Sequence, residues 1–338
     1  MKLDEVAKLA GVSRTTVSYV INGKAKQYRV SDRTIANVMA VVNEHNFKPN
    51  PVAAGLRAGH TNTIGLIVPD LENISYAKIA MRFETLCRKA GYQLFISCSN
   101  DDRENEKACA TQLLARKIDA LVVSTALETD DVFYRQIGDV PIIGFDRKAN
   151  NVNDINILYH DEQDSSQLAE KLLQQGKPQS VLYFGAQQEF PISRQREAGF
   201  RQTVTDCGCR VDYLYAPHFS RDSALESFNL WLAENPLPDA LFITSLTLLQ
   251  GVFQALLQKQ GRIPPHLTIA TFGDQQMLEL LPNQIISAVQ PYDQIAENLL
   301  TAVQQTTVKS AAKKQRNSAG YPIWVQREIF YKNGCALS

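Results

Sequence analysis

The sequence is poor in the residues and motifs on which metal, membrane and catalytic readings depend. Of its 338 residues six are cysteine: Cys87, Cys98, Cys109, Cys207, Cys209 and Cys335. None forms a C-x-x-C pair, and the one close pair, Cys207-Gly-Cys209, has no histidine beside it, so no metal site is expected. No apolar run approaches the length of a membrane span. The N-terminus, MKLDEVAKLAG, interrupts its apolar residues with charges and lacks the hydrophobic centre of an export signal. These absences predict a cytoplasmic protein with reduced thiols and no membrane partner. The phosphate loop G-x-x-x-x-G-K-S/T, a G-x-G-x-x-G after the first strand, H-E-x-x-H and G-x-S-x-G are missing as well. No cofactor is expected, no catalytic residue is nominated, and the sequence reads as that of a protein that is not an enzyme.

What is present is ordinary in amount and uneven in placement. Hydrophobic residues make up 44% and charged residues 21%, proportions usual for a soluble globular protein, and the length is enough for at least two domains. The formal net charge is zero. Yet nine basic residues stand against four acidic ones up to Gly59, and the remainder carries the balancing acidic excess. A basic module ahead of a larger acidic one suits a polyanion, because neutralising phosphates supplies most of the affinity for nucleic acid.

The first segment reads as three short helices. Leu3, Val6, Ala7 and Ala10 recur at helical spacing, Gly11 breaks the pattern, and Ser13 offers an N-cap for a helix from Arg14 to Ile21. Val6, Leu9, Val17 and Val20 are assigned to the module's core. A polar basic loop, KAKQYRV, follows, and Ser31 caps a third helix whose apolar face is Ile35, Val38, Met39, Val42 and Phe47.

From Thr63 short apolar runs (TIGLIVPDL, YQLFISCS, ALVVST, PIIGFDR) alternate with amphipathic stretches. The cadence repeats after a crossover near Ile155 to Asp161, with SVLYFGA, VDYLYAP, ALFITS, LTIATFGD and ISAVQP. Strands apolar at nearly every position are buried on both faces, which predicts parallel sheets covered by helices, in two doubly wound lobes. Ligands bind such sheets beyond the carboxyl ends of their strands. The polar residues there are Asp70, Ser124, Asp146, Ser245, Asp274 and Gln290. The histidines, His45, His60, His160, His218 and His266, fall elsewhere and read as surface or packing residues.

The run Val12-Ser13-Arg14-Thr15-Thr16-Val17-Ser18-Tyr19-Val20-Ile21-Asn22 fits V-S-x-x-T-V-S-x-V-I/L-N, and the segment around it resembles the helix-turn-helix of the LacI/GalR family of bacterial regulators. The resemblance implies that Arg14, Thr15 and Tyr19 meet base edges in the major groove, while Ser13, Thr16, Ser18 and Asn22 meet phosphates. PVAAGLRAG, Pro51 to Gly59, resembles the family hinge. There the resemblance implies a helix in which Leu56 wedges into the minor groove and Ala53 makes the close helix contact. Without the upstream motif, an isolated Leu56 in this Ala/Gly-rich stretch reads as a linker residue. The loop from Lys24 to Val30 is longer than in the family's shortest members and resembles the fructose and sucrose repressor branch. Lys24, Lys26 and Arg29 are then either further phosphate contacts or a solvated basic loop.

The same resemblance implies an all-α helix-turn-helix module (residues 1–48), a hinge (49–61, its helix about 51–58) and a periplasmic-binding-protein-like α/β core (62–338). One lobe takes about 62–160 with part of 290–325, the other 161–289 with the C-terminal end. Carried over by position, Ser124, Asp146, Arg196, Ser245, Asp274 and Gln290 line the effector site, with Asp70 at the first strand end. Arg194 competes with Arg196, and Arg147 is either a further lining residue or a surface ion pair. An arginine fork beside aspartates suits a phosphorylated sugar, and the branch implies fructose 1-phosphate or fructose 1,6-bisphosphate. The alternatives are a repressor answering to free sugar, a sugar-binding protein and a phosphosugar enzyme. Pseudo-palindromic double-stranded operator DNA and a homodimer, with a tetramer open, complete the expected partners.

Overall fold

A computed structural model describes residues 1–47, 60–150, 155–274, 276–311 and 322–334. The chain divides into two compact units, Met1–Thr61 and Asn62–Ser338. Ala53 and Leu56, with the expected hinge helix, lie outside the described residues.

The first unit packs α1 (Leu3–Leu9), α2 (Arg14–Ile21) and α3 (Asp32–Glu44) around Val6, Val17, Val20, Val38 and Val41. Gly11, with φ +64°, makes the turn between α1 and α2. Ser13 and Ser31 cap α2 and α3 by accepting from the backbone N–H groups of Thr16 and Thr34. Two core assignments are corrected. Leu9 is 56% exposed, because the buried stripe of α1 runs through Val6, Ala7 and Ala10, about a quarter turn away. Met39 is likewise exposed, and Val41 takes its place on α3. The loop after α2 is wound rather than open: the N–H groups of Tyr28 and Val30 donate to Lys24 and Ala25 carbonyls, and Ala25 is buried.

Among the described residues the second unit holds two six-stranded sheets. The strands are β1 (Thr63–Val68), β2 (Gln93–Cys98), β3 (Ala120–Val123), β4 (Ile142–Phe145), β5 (Ile155–Tyr159), β6 (Ser180–Ala186), β7 (Arg210–Ala216), β8 (Ala240–Ile243), β9 (Thr268–Phe272), β10 (Ile285–Val289), β11 (Ile323–Val325) and β12 (Glu328–Lys332). The first lobe has the order β11-β5-β4-β3-β1-β2, the second β12-β10-β9-β8-β6-β7. Nearly every residue of β1, β3, β4, β8 and β9 is buried, as expected for strands covered on both faces. The helices are α4 (Ile74–Lys89), α5 (Arg103–Ala115), α6 (Phe133–Gln136), α7 (Asp161–Gly176), α8 (Pro191–Val204), α9 (Arg221–Glu234), α10 (Leu246–Gln260), α11 (Gln276–Leu280) and α12 (Tyr292–Ala311).

The segment read as the crossover, Ile155 onward, begins with a strand. β5 pairs with β4 in the first lobe, and the chain leaves that lobe only at His160. It returns at Gln290-Pro291, since α12 packs into the core with α4, and leaves again at Gln326-Arg327. That last passage explains the one antiparallel pair among the described residues, β10 with β12. β11 runs parallel to β5, so the chain enters the second lobe at the carboxyl ends of its strands and must run backwards along β10. A further correction concerns the thiols: Cys207 and Cys209 form a disulfide with Cα atoms 5.4 Å apart across Gly208, whose φ of +69° turns the two side chains to one side. Cys87, Cys98 and Cys109 are free, and Cys335 lies outside the described residues.

Candidate functional site

Two places in the molecule gather the residues nominated from sequence. In the first unit they lie on α2 and the turn after it, with Ser13, Arg14, Thr15 and Asn22 exposed and Thr16, Ser18 and Tyr19 half-buried. Arg14 and Thr15 are exposed at the start of α2, and the Arg14 guanidinium lies 3.3 Å from Asp4 on α1, an exposed pair worth at most about 1 kcal/mol and so readily exchanged. Ser13 and Thr16 share a 2.9 Å hydrogen bond, and the Asn22 amide donates to Ser18 Oγ at 3.2 Å, so each short polar group is held by a neighbour. Tyr19 has a partner that sequence did not supply. Its ring is stacked on Tyr28, with centroids 3.8 Å apart and planes within 3°. Arg29 follows with a left-handed φ of 54°, and with Lys24 and Lys26 it is exposed.

The second place is the cleft between the lobes. The strands of both sheets end on it, and residues of both lobes line it. Asp70, Asp146 and Arg147 line it from the first lobe, Arg196 and Ser245 from the second, and Gln290 from the second crossing. Arg194 turns outward and is exposed, its guanidinium donating to the Glu189 carbonyl. Ser124 lies behind the wall: it is fully buried and bonds at 3.2 Å to the Tyr76 hydroxyl, which donates to Asp146 at 2.7 Å. Asp274 is not in the lining. Lys78 on α4 donates to its carboxylate at 2.6 Å and to its carbonyl at 3.1 Å, so its strand-end position serves to join the lobes.

The turn after β4 shows how the backbone aims these groups. The Arg147 N–H donates to the Phe145 carbonyl, a three-residue turn whose centre, Asp146, has φ +62°. A non-glycine residue in that conformation is strained, and the turn puts Asp146 and Arg147 side by side in the cleft wall. Arg147 is held by both oxygens of Asp101, at 2.5 and 3.2 Å, and lies 4.5 Å over the Phe190 ring of the second lobe. Burial pulls against its charge, but Asp101 beside it holds the guanidinium above its usual range. Burial also pushes the Asp70 carboxyl up, against the N–H of Asn73 that bonds it.

Several lining residues escaped the sequence reading. Asp101, itself left-handed at φ 55°, follows β2, so the strand-end rule reaches it if extended to that strand. Ser75 and Tyr76 on α4, and Ile192, Phe219 and Phe272 of the second lobe, carried no such signal. Together the walls offer guanidinium forks, carboxylate acceptors and an apolar side. That set can orient a small polyhydroxylated anion.

Residues 2–50 match the bacterial regulatory proteins of the lacI family, and residues 61–311 match the periplasmic binding proteins and sugar binding domain of the LacI family. The chain is 48% identical to the catabolite repressor/activator of Salmonella typhimurium over 305 residues, covering 90% of this chain and 91% of that one. It is 41% identical to the fructose operon regulatory protein of Vibrio cholerae over 311 residues, covering 91% and 95%. Among solved structures it is similar to the Cra transcriptional dual regulator from Pseudomonas putida in complex with fructose 1-phosphate, at 34% identity and a TM-score of 0.72 over 80% of this chain and 99% of that one. The lac repressor dimer bound to operator, 20% identical, shares the fold with a TM-score of 0.80 over 99% of both chains. The chain belongs to the LacI family of bacterial regulatory proteins.

Proposed function

We propose that this chain is an operator-binding regulator of sugar metabolism, mainly a repressor, whose grip on DNA is changed by a sugar phosphate, fructose 1-phosphate before fructose 1,6-bisphosphate. One observation carries the reading. A single cleft combines the guanidinium groups of Arg147 and Arg196 with two carboxylates, Asp70 and Asp146, that have no ion-pair partner among the described residues. Guanidinium forks match phosphate oxygens in pairs, and carboxylates accept hydrogen bonds from sugar hydroxyls. The Pseudomonas putida relative, in complex with fructose 1-phosphate, supports the choice of ligand. On the DNA, Arg14, Thr15 and Tyr19 read bases, Ser13, Thr16, Ser18 and Asn22 fix register on phosphates, and Lys24, Lys26 and Arg29 extend that contact. Leu56 is the minor-groove wedge, and Ala53 the close helix contact, of a hinge between a module of residues 1–48 and a core from residue 62. One recognition helix reads few base pairs, so a homodimer on a pseudo-palindrome is the acting form. The protein works in the cytoplasm and binds its effector without converting it.

One observation favours a second reading, a regulator of the same kind that answers to a free sugar. Arg147 is already engaged by Asp101, and Arg196 by Asp161 at 2.8 Å, so a phosphate has to compete with both carboxylates. Titration calorimetry with fructose 1-phosphate, fructose 1,6-bisphosphate, fructose and sucrose separates the two. Heat from the phosphates alone supports the first reading; heat from free sugar and none from the phosphates replaces it with the second.

A further inference from the structure

The crossings between the lobes carry a buried ionic chain that the cleft description leaves unused. Arg327, on the third crossing, has no side-chain exposure, and its Nη1 lies 3.1 Å from Asp161 and 2.5 Å from Asp164. Both aspartates sit on the first turn of α7, where the first crossing enters the second lobe. The Asp161 oxygen that meets Arg327 also accepts from Arg196 Nε at 2.8 Å, and Arg196 Nη1 donates to the Thr244 carbonyl at 2.6 Å. Charge therefore alternates along Asp164, Arg327, Asp161 and Arg196, and the last member stands in the cleft wall. The Phe272 ring lies under both cations, 4.2 Å from Arg196 and 5.4 Å from Arg327, and Tyr159 lies 4.0 Å under Arg327.

Close packing of α7 on α8 makes the chain possible. Ser165 and Ser166 donate to the carbonyls of Arg196 and Gly199, and a Cβ on Gly199 would overlap the Glu162 carbonyl. Two features separate this arrangement from ordinary core packing. Arg327 Nε and Nη2, and the Tyr159 hydroxyl, are buried without hydrogen-bond partners among the described residues, a costly state that an apolar side chain of similar volume would avoid. In addition, Asp161 serves two cations through one oxygen. An anion that draws Arg196 into the cleft changes what Asp161 gives to Arg327, and so changes the tie between the first and third crossings.

We propose that Asp161 and Arg327 are positioning residues: they set the Arg196 guanidinium in the cleft wall for an anionic ligand and pass its displacement to the interlobe crossings. The proposal rests on the sugar-phosphate reading above for its choice of probe. The test uses the full chain with Arg327→Lys, which keeps the charge but loses the fork, and Asp164→Asn, which removes only the distal anchor. Fructose 1-phosphate affinity, thermal midpoint, and the ratio of operator affinities without and with fructose 1-phosphate are measured for each.

The expected result is a loss of about tenfold in fructose 1-phosphate affinity for Arg327→Lys, with the operator ratio falling towards one, and a smaller loss of the same kind for Asp164→Asn. A lowered midpoint with affinity and ratio both unchanged overturns the proposal, because a merely structural residue behaves that way. If the wild-type chain takes up no sugar phosphate, the effector reading has failed, and hydrogen exchange then decides this proposal separately. Faster exchange in Arg327→Lys at both the α8 amides and the crossings sustains it; unchanged exchange there overturns it.

Discussion

The surface of the first unit and the cleft of the second are built in opposite ways. On α2 and the following turn the nominated residues are close in sequence, exposed or half-buried, and joined by contacts to near neighbours, such as Ser18 to Asn22 and Tyr19 to Tyr28. In the cleft they come from positions as far apart as Asp70 and Gln290, they are half-buried or buried, and both arginines are already paired. A surface of the first kind can change its contacts without disturbing the fold. A cleft of the second kind cannot, because its ligand-facing groups also hold the wall together: Arg196 binds the buried Asp161, Asp146 accepts from the buried Tyr76, and Arg147 binds Asp101.

The largest effect that tests this contrast is expected at Arg196. Arg196→Met removes the side-chain donor to the buried Thr244 carbonyl and leaves Asp161 with Arg327 alone, and should cost about 3 kcal/mol in chemical denaturation while abolishing the calorimetric heat of fructose 1-phosphate. Unaltered stability would break the contrast. Next comes Arg14→Ala, expected to weaken operator binding by about 1–3 kcal/mol and to relax preference at one base position, with effector heat intact. A matching loss of effector binding would contradict the independence of the exposed surface.

A smaller effect sharpens the description of that surface. Tyr28→Ala removes the ring stacked on Tyr19 and should reduce operator affinity by about 1 kcal/mol, whereas Tyr28→Phe should preserve it. Equal losses in fluorescence anisotropy would mean that the hydroxyl, not the stacking, matters. The smallest concerns Glu106, which is fully buried and accepts from Thr125, Tyr134 and the Ala126 N–H. Burial pushes its carboxyl above the ordinary value of 4.5, against these hydrogen bonds. Its stabilising contribution is therefore complete below that value and is lost as pH rises through the raised one. Glu106→Gln should flatten the fall of stability with pH in denaturant titrations, and an unchanged slope would refute the assignment.

The same contrast explains how far the sequence could be read. The caps at Ser13 and Ser31, the parallel strands and the strand ends at Asp70, Asp146 and Gln290 follow from local pattern, and the structure carries each of them. Leu9 and Met39 were misassigned because apolar character does not by itself say which side of a short helix is covered. Asp274 satisfied the strand-end rule yet pairs with Lys78, which lies 196 residues away in sequence. Asp161 and Arg327 were out of reach for the same reason: neither ends a run of the repeating cadence, and only the folded crossings bring them to Arg196.

The central claim, that a sugar phosphate in the cleft alters DNA binding by the exposed surface, is tested most directly by operator titration. The full chain is bound to an operator selected from random DNA, and its affinity is followed by anisotropy as fructose 1-phosphate, fructose or sucrose is added. The account predicts that fructose 1-phosphate releases the operator while the free sugars leave it bound. Release by free sugar with no response to the phosphate would contradict it.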